Sequence, residues 1–229
     1  MLYDPTYILV IISAIFCMIT NIRVNSIFKK YAKVRSIQGL TGAEAAEKIL
    51  YYAGLNDVKI EWVHGKLTDH YDPRNKILRL SDSTYTNTSV AAIGVAAHEC
   101  GHAIQHAEGY SPLKLRSALV PAANIGSNLG IPIIMLGLLF GSNYALIQIG
   151  IWMFSLAVLF QLVTLPVEFN ASNRAITILD TKGILNEKEL NMSKKVLFAA
   201  AMTYVAAAAS SIIQLLRLIL LFGKRSSRN

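Results

Sequence analysis

The stretch His98-Glu99-Cys100-Gly101-His102 constrains this chain more than any other. It reads H-E-x-x-H and follows the run Val90 to Ala97, rich in alanine, which favours a helix. On a helix, positions i and i+4 lie about 40° apart around the axis. Both imidazoles can then point at one ion at zinc distances. Glu99 lies about 60° round from His102. It can reach a water on that ion but is poorly placed to ligate it. In this pattern the metal acidifies the water and the glutamate takes its proton. Ser89 or Thr88 can cap the helix start, and no proline interrupts before Pro112. The opposite face reads Ile93, Ala97, Cys100, Ile104, a stripe suited to core packing. The plain alternative is a helix with two solvated histidines and a surface glutamate; the helical context favours the metal site.

A third ligand must come from elsewhere. His106 repeats the i+4 step but sits about 12 Å along the helix from His98, too far to share an ion. A histidine six residues after the second one would signal a metzincin, and that position is Glu108. His106 therefore reads as a cleft-lining residue. His64 and His70 lie in a polar, turn-rich stretch and read as surface histidines.

Composition points to a membrane. Of 229 residues, 53% are hydrophobic and only 16% charged, too apolar for an ordinary soluble domain. A net charge of +8 could suggest nucleic acid. The cations instead flank apolar runs, and no clustered basic and aromatic surface exists outside them, so no nucleic-acid partner is expected. Two cysteines cannot form a disulfide framework; Cys17 and Cys100 are expected to be reduced.

Tyr7 to Ile22 is an apolar run just long enough to span, preceded by an acid and followed by Arg23, Lys29, Lys30, Lys33 and Arg35. The charge asymmetry predicts an uncleaved anchor with its N-terminus outside and the next segment in the cytoplasm. Thr41-Gly-Ala-Glu44 is a capping box for a helix from Gly42 to Ala53, closed by Gly54. Val58–Val63 and Lys76–Ser81 alternate like strands, with a turn at Tyr71–Asn75 between them. Lys76–Ser81 is the candidate edge strand for holding an extended peptide, or else one arm of a structural hairpin.

Two further apolar stretches, Ser117 to Phe140 and Tyr144 to Leu165, join through Gly141-Ser-Asn143. They predict a transmembrane hairpin, which returns the chain to the face it left. Next comes Pro166-Val167-Glu168, with Glu168 opening a helix toward Leu179. Alone, Glu168 would read as a helix-start acid favoured by the dipole. With the motif upstream it is the expected third ligand. Phe198 to Phe222 reads as a fourth span. Arg217 interrupts it, and a span puts Lys224, Arg225 and Arg228 outside, against the charge trend. The alternative packs its alanine-rich half on the soluble part.

The N-terminal anchor, the phrase VAAHECGHAIQH, the two-span insertion and PVEFNASNRA together resemble the YugP-like neutral zinc metallopeptidases of bacterial membranes. The likeness covers essentially the whole chain. It implies His98, His102 and Glu168 as zinc ligands and Glu99 as catalytic base. The family pattern leads us to expect aspartate where Asn170 stands. In the wider group of membrane zincins, an acid four residues after the ligand glutamate braces a ligand histidine; here that position is Ser172.

The resulting expectation is a mainly α membrane protein with a small β-sheet, its zincin-like core interrupted by a transmembrane hairpin. Its parts are an anchor (1–24), a first soluble part with the motif (25–116), the hairpin (117–165), a second soluble part with the third ligand (166–197), and a C-terminal apolar helix with a basic tail (198–229). One Zn²⁺ per chain would serve a multi-pass endopeptidase working on the cytoplasmic side, on peptides or membrane proteins. The rival expectation is a non-catalytic membrane scaffold stapled by structural zinc.

Overall fold

The computed structural model describes residues 6–222. The extreme N-terminus and the basic tail with Lys224, Arg225 and Arg228 lie outside the described residues. The chain is mainly helical, with one three-stranded sheet. Its elements run α1 (Tyr7–Tyr31), α2 (Gly42–Tyr52), β1 (Lys59–Val63), β2 (His70–Asp72), β3 (Ile77–Ser81), α3 (Val90–Ala107), α4 (Ser111–Leu139), α5 (Tyr144–Thr181) and α6 (Glu187–Phe222). Among the described residues α1, α4, α5 and α6 are long and apolar enough to cross a membrane. The helices form two compact units: residues 6–20, 114–165 and 203–222, and residues 21–113 with 166–202.

The first unit is built from apolar helices in close approach. A Cβ at Gly130 would lie 3.1 Å from the Gly150 carbonyl oxygen, so small residues set the spacing of α4 and α5. Ile134, Ile147, Ile151 and Leu218 form its buried cluster. Arg217, the cation inside α6, stacks over the Tyr7 ring at 4.2 Å.

The second unit carries the sheet and the motif helix. Thr41 caps α2 with the full reciprocal box: its hydroxyl accepts from the Glu44 N–H and its own N–H donates to the Glu44 carboxylate. Asn186 and Glu189 repeat the device at the start of α6. Ser89 caps α3 by accepting from the Ala92 N–H. The core gathers Ile49 from α2, Leu78 and Leu80 from β3, Ile93 and Ala97 from α3, and Leu179 from α5, all fully buried. Each large aliphatic side chain so buried contributes about 1.5–3 kcal/mol.

Two expectations are corrected here. The strand Ile77–Ser81 is not an edge: the order is β1-β3-β2, with β1 parallel and β2 antiparallel to β3. Its ladder hydrogen bonds are therefore occupied on both sides, and it cannot receive a peptide. The cause is β2, only three residues long, which follows the turn-rich stretch and closes a hairpin onto β3. Secondly, Glu168 does not open a helix. α5 runs unbroken through Pro166, so Glu168 lies deep in a 38-residue helix. Proline removes one N–H from the ladder, a loss that long apolar helices tolerate. The helix-start explanation for this acid is thereby gone.

Candidate metal centre

The site lies where α3 and the second half of α5 cross. Gly101 permits the crossing: a Cβ there would sit 2.5 Å from the Ala171 carbonyl oxygen. Any larger residue would push the helices apart. The close approach brings the motif histidines onto Glu168. One ligand atom each from His98, His102 and Glu168 lies within 4.8 Å of the others.

The Glu168 Oε2 atom is 3.2 Å from His98 Nε2 and 3.6 Å from His102 Nε2. Two donors about 2.05 Å from a tetrahedral ion are about 3.3 Å apart. The observed separations match that edge. Glu168 is 2% exposed. A carboxylate so buried costs several kcal/mol unless cations compensate it. A divalent ion held between this carboxylate and the two neutral imidazoles would supply that compensation, so the donor set fits zinc.

The hydrogen-bond network settles which ring nitrogen of His102 faces the centre. The Arg174 guanidinium can only donate, and its Nε lies 2.7 Å from Asn170 Oδ1. The same oxygen accepts from Gln105 Nε2 at 2.9 Å, and that amide nitrogen also donates to the Val167 carbonyl at 2.8 Å. The other end of Gln105 is therefore its oxygen. It lies 3.0 Å from His102 Nδ1, which must carry the proton and donate. In the neutral ring, Nε2 then turns its lone pair toward Glu168 and the centre. His98 is braced similarly by Ser172, with Nδ1 and Oγ 3.1 Å apart. Burial alone would lower the His102 pKa. The Glu168 carboxylate, which accepts a hydrogen bond once Nε2 is protonated, and the nearby Glu99 charge outweigh it, and the net direction is upward.

Glu99 is buried on α3 and makes no hydrogen bond among the described residues. Its carboxylate is thus uncommitted beside the centre. His106 stays out of the group; its Nδ1 meets the Tyr71 hydroxyl at 3.0 Å, on the exposed side of α3. His64 pairs with Asp82, and His70 lies 3.5 Å from Arg79, both at the surface. Cys100 is fully buried, and burial pushes its thiol well above the usual range, so it is inert. Both cysteines are free.

Sequence reasoning missed Gln105. The available signal was its place three residues after His102, on the same helical face. It singled out the position of Ser172 as one that braces a ligand histidine in the wider group, and Ser172 Oγ does face His98 Nδ1, but it gave Asn170 no partner. In the fold Asn170 joins Gln105 to Arg174. Arg174 also pairs with Glu108 at 2.7 Å and holds that carboxyl below its usual range. A larger cleft of about 630 Å³, lined by Glu44, Glu47, Tyr51 and Tyr85, contains no imidazole or thiol.

The sequence is 50% identical over 200 residues to a protein of Bacillus subtilis (strain 168) named "Putative membrane protease YugP", covering 87% of this chain and 88% of that one. No solved structure matches. The model of the family described as "Putative neutral zinc metallopeptidase" matches residues 6–223, and with two imidazoles and a buried carboxylate converging as a zinc site needs, the chain belongs to that zinc metallopeptidase family.

Proposed function

We propose that the protein is a membrane zinc endopeptidase, with His98, His102 and Glu168 holding one zinc ion per chain and Glu99 acting as general base. The observation that carries this reading is the convergence of both imidazole Nε2 atoms on one buried Glu168 oxygen at tetrahedral-edge distances. A structural zinc site fills four protein positions, whereas this group offers three. One position is left for water or substrate, which argues for catalysis over a scaffold.

When bound, zinc supplies Lewis acidity, polarising a carbonyl and acidifying water. The chain's own residues do the rest. Glu99 accepts the proton of the attacking water on its carboxylate and returns it to the departing amine nitrogen. With no hydrogen-bond partner among the described residues, it stays available for both transfers. Gln105 and Ser172 hold the two imidazoles with Nε2 inward. Of the two edge strands, β1 and β2, the one beside α3 is β2, where Tyr71 meets His106, and it is the candidate edge for an extended peptide.

Substrates are peptides or membrane-protein segments near the cytoplasmic surface. Support comes from the cations Arg23 to Arg35, which follow the first apolar run and favour the cytoplasm. Replacing Glu99→Gln tests the reading. The variant keeps its zinc and loses peptide hydrolysis by at least about 100-fold, the usual contribution of a general base. Undiminished hydrolysis in that variant refutes the mechanism.

A further inference from the structure

A groove of about 430 Å³ runs along α5 from Asn170, the residue that joins the His102 brace to Arg174. Its walls combine apolar surface with two cations. Arg174 and Lys182 supply charge, Asn173 and Thr177 supply hydrogen-bonding groups, and Ile104 and Ile178 supply apolar wall. No acid lines it.

The two cations differ in occupancy. The exposed Glu108 carboxylate already sits on Arg174 at 2.7 Å. It shows that the guanidinium is presented for a carboxylate. A partly exposed ion pair of this kind is weak and exchanges readily. Lys182 has no acidic partner among the described residues; its ammonium stands 5.1 Å over the Tyr52 ring. Eight residues separate Arg174 from Lys182, about 12 Å at helical rise. An extended peptide covers that distance in about three to four residues.

We propose that this groove is the binding site for an acidic peptide segment of the substrate, carrying two carboxylates three to four residues apart, one displacing Glu108 from Arg174 and the other meeting Lys182. The inference rests on the proteolytic reading for its purpose, though not for its test. Hydroxyls, amides and an apolar wall continuous with the His102 brace suit a peptide better than a lipid headgroup.

The test uses full-length, zinc-loaded Glu99→Gln protein in phosphatidylcholine nanodiscs, with fluorescently labelled decapeptides. One peptide carries two glutamates at that spacing; the others carry glutamine or lysine there. Anisotropy is expected to show the glutamate peptide binding about two- to fivefold tighter than its glutamine counterpart, because exchange with Glu108 at Arg174 is near neutral and one partly exposed ion pair, at Lys182, is gained. Adding Lys182→Glu should abolish this preference and favour the lysine peptide, with zinc content unchanged. Equal affinities, or a preference that Lys182→Glu leaves intact, overturn the proposal. So does competition by phosphatidylglycerol that depends on Lys182 without any peptide preference; the groove would then serve lipid. If the glutamate peptide binds as expected but wild-type protein leaves it uncut, the hydrolase reading falls and the groove stands.

Discussion

At the scale of single residues, the centre depends on how its ligands are aimed. His98 and His102 were readable from i and i+4 spacing alone, because helical geometry fixes their direction whatever surrounds them. Gln105 was not, because a helical glutamine is ordinarily solvated; only the approach of α5 buries it and gives it Val167 and Asn170 as partners. Substituting Gln105→Leu leaves His102 Nδ1 without its acceptor and frees the ring to turn. Zinc affinity, measured by competition with a chelator, should fall about 10–100-fold, the range seen when such braces are removed. Unchanged affinity would show that packing alone orients the ring.

At the scale of elements, the site is a helix crossing. The caps of α2 and α3 were readable because Thr41, Glu44 and Ser89 act on neighbours in sequence. The continuity of α5 was not, because Pro166 marks a boundary in most contexts. Nor was the central place of β3, since three-residue β2 is too short for a hydrophobic pattern. The crossing itself hangs on Gly101, whose role shows only when the Ala171 carbonyl is known to face it. Gly101→Ala adds a methyl 2.5 Å from that oxygen. It should destabilise the protein by about 1–3 kcal/mol, the cost of overpacking, and lower zinc affinity by pulling Glu168 off the imidazoles. Thermal unfolding with and without zinc checks both effects. A variant as stable and as tightly metallated as wild type would contradict the crossing described.

At the scale of the whole molecule, the sequence predicted a membrane hairpin between the two parts of one metal site. In the structure residues 21–113 and 166–202 form one compact unit. The proposed cytoplasmic location can be tested in cells. In a Cys17→Ser, Cys100→Ala background, Ser142→Cys at the hairpin turn should react with a membrane-impermeant maleimide in intact cells. Asn75→Cys in the β2–β3 turn should react only after lysis. The reverse pattern would move the site outside.

Zinc K-edge absorption of the purified, metallated protein addresses the ligand set itself. Two imidazoles and only oxygen besides, at about 2.0–2.1 Å, are expected, with the spectrum altered or the zinc lost in Glu168→Ala. A sulfur shell near 2.3 Å, or a spectrum that Glu168→Ala leaves unchanged, would contradict the centre described here.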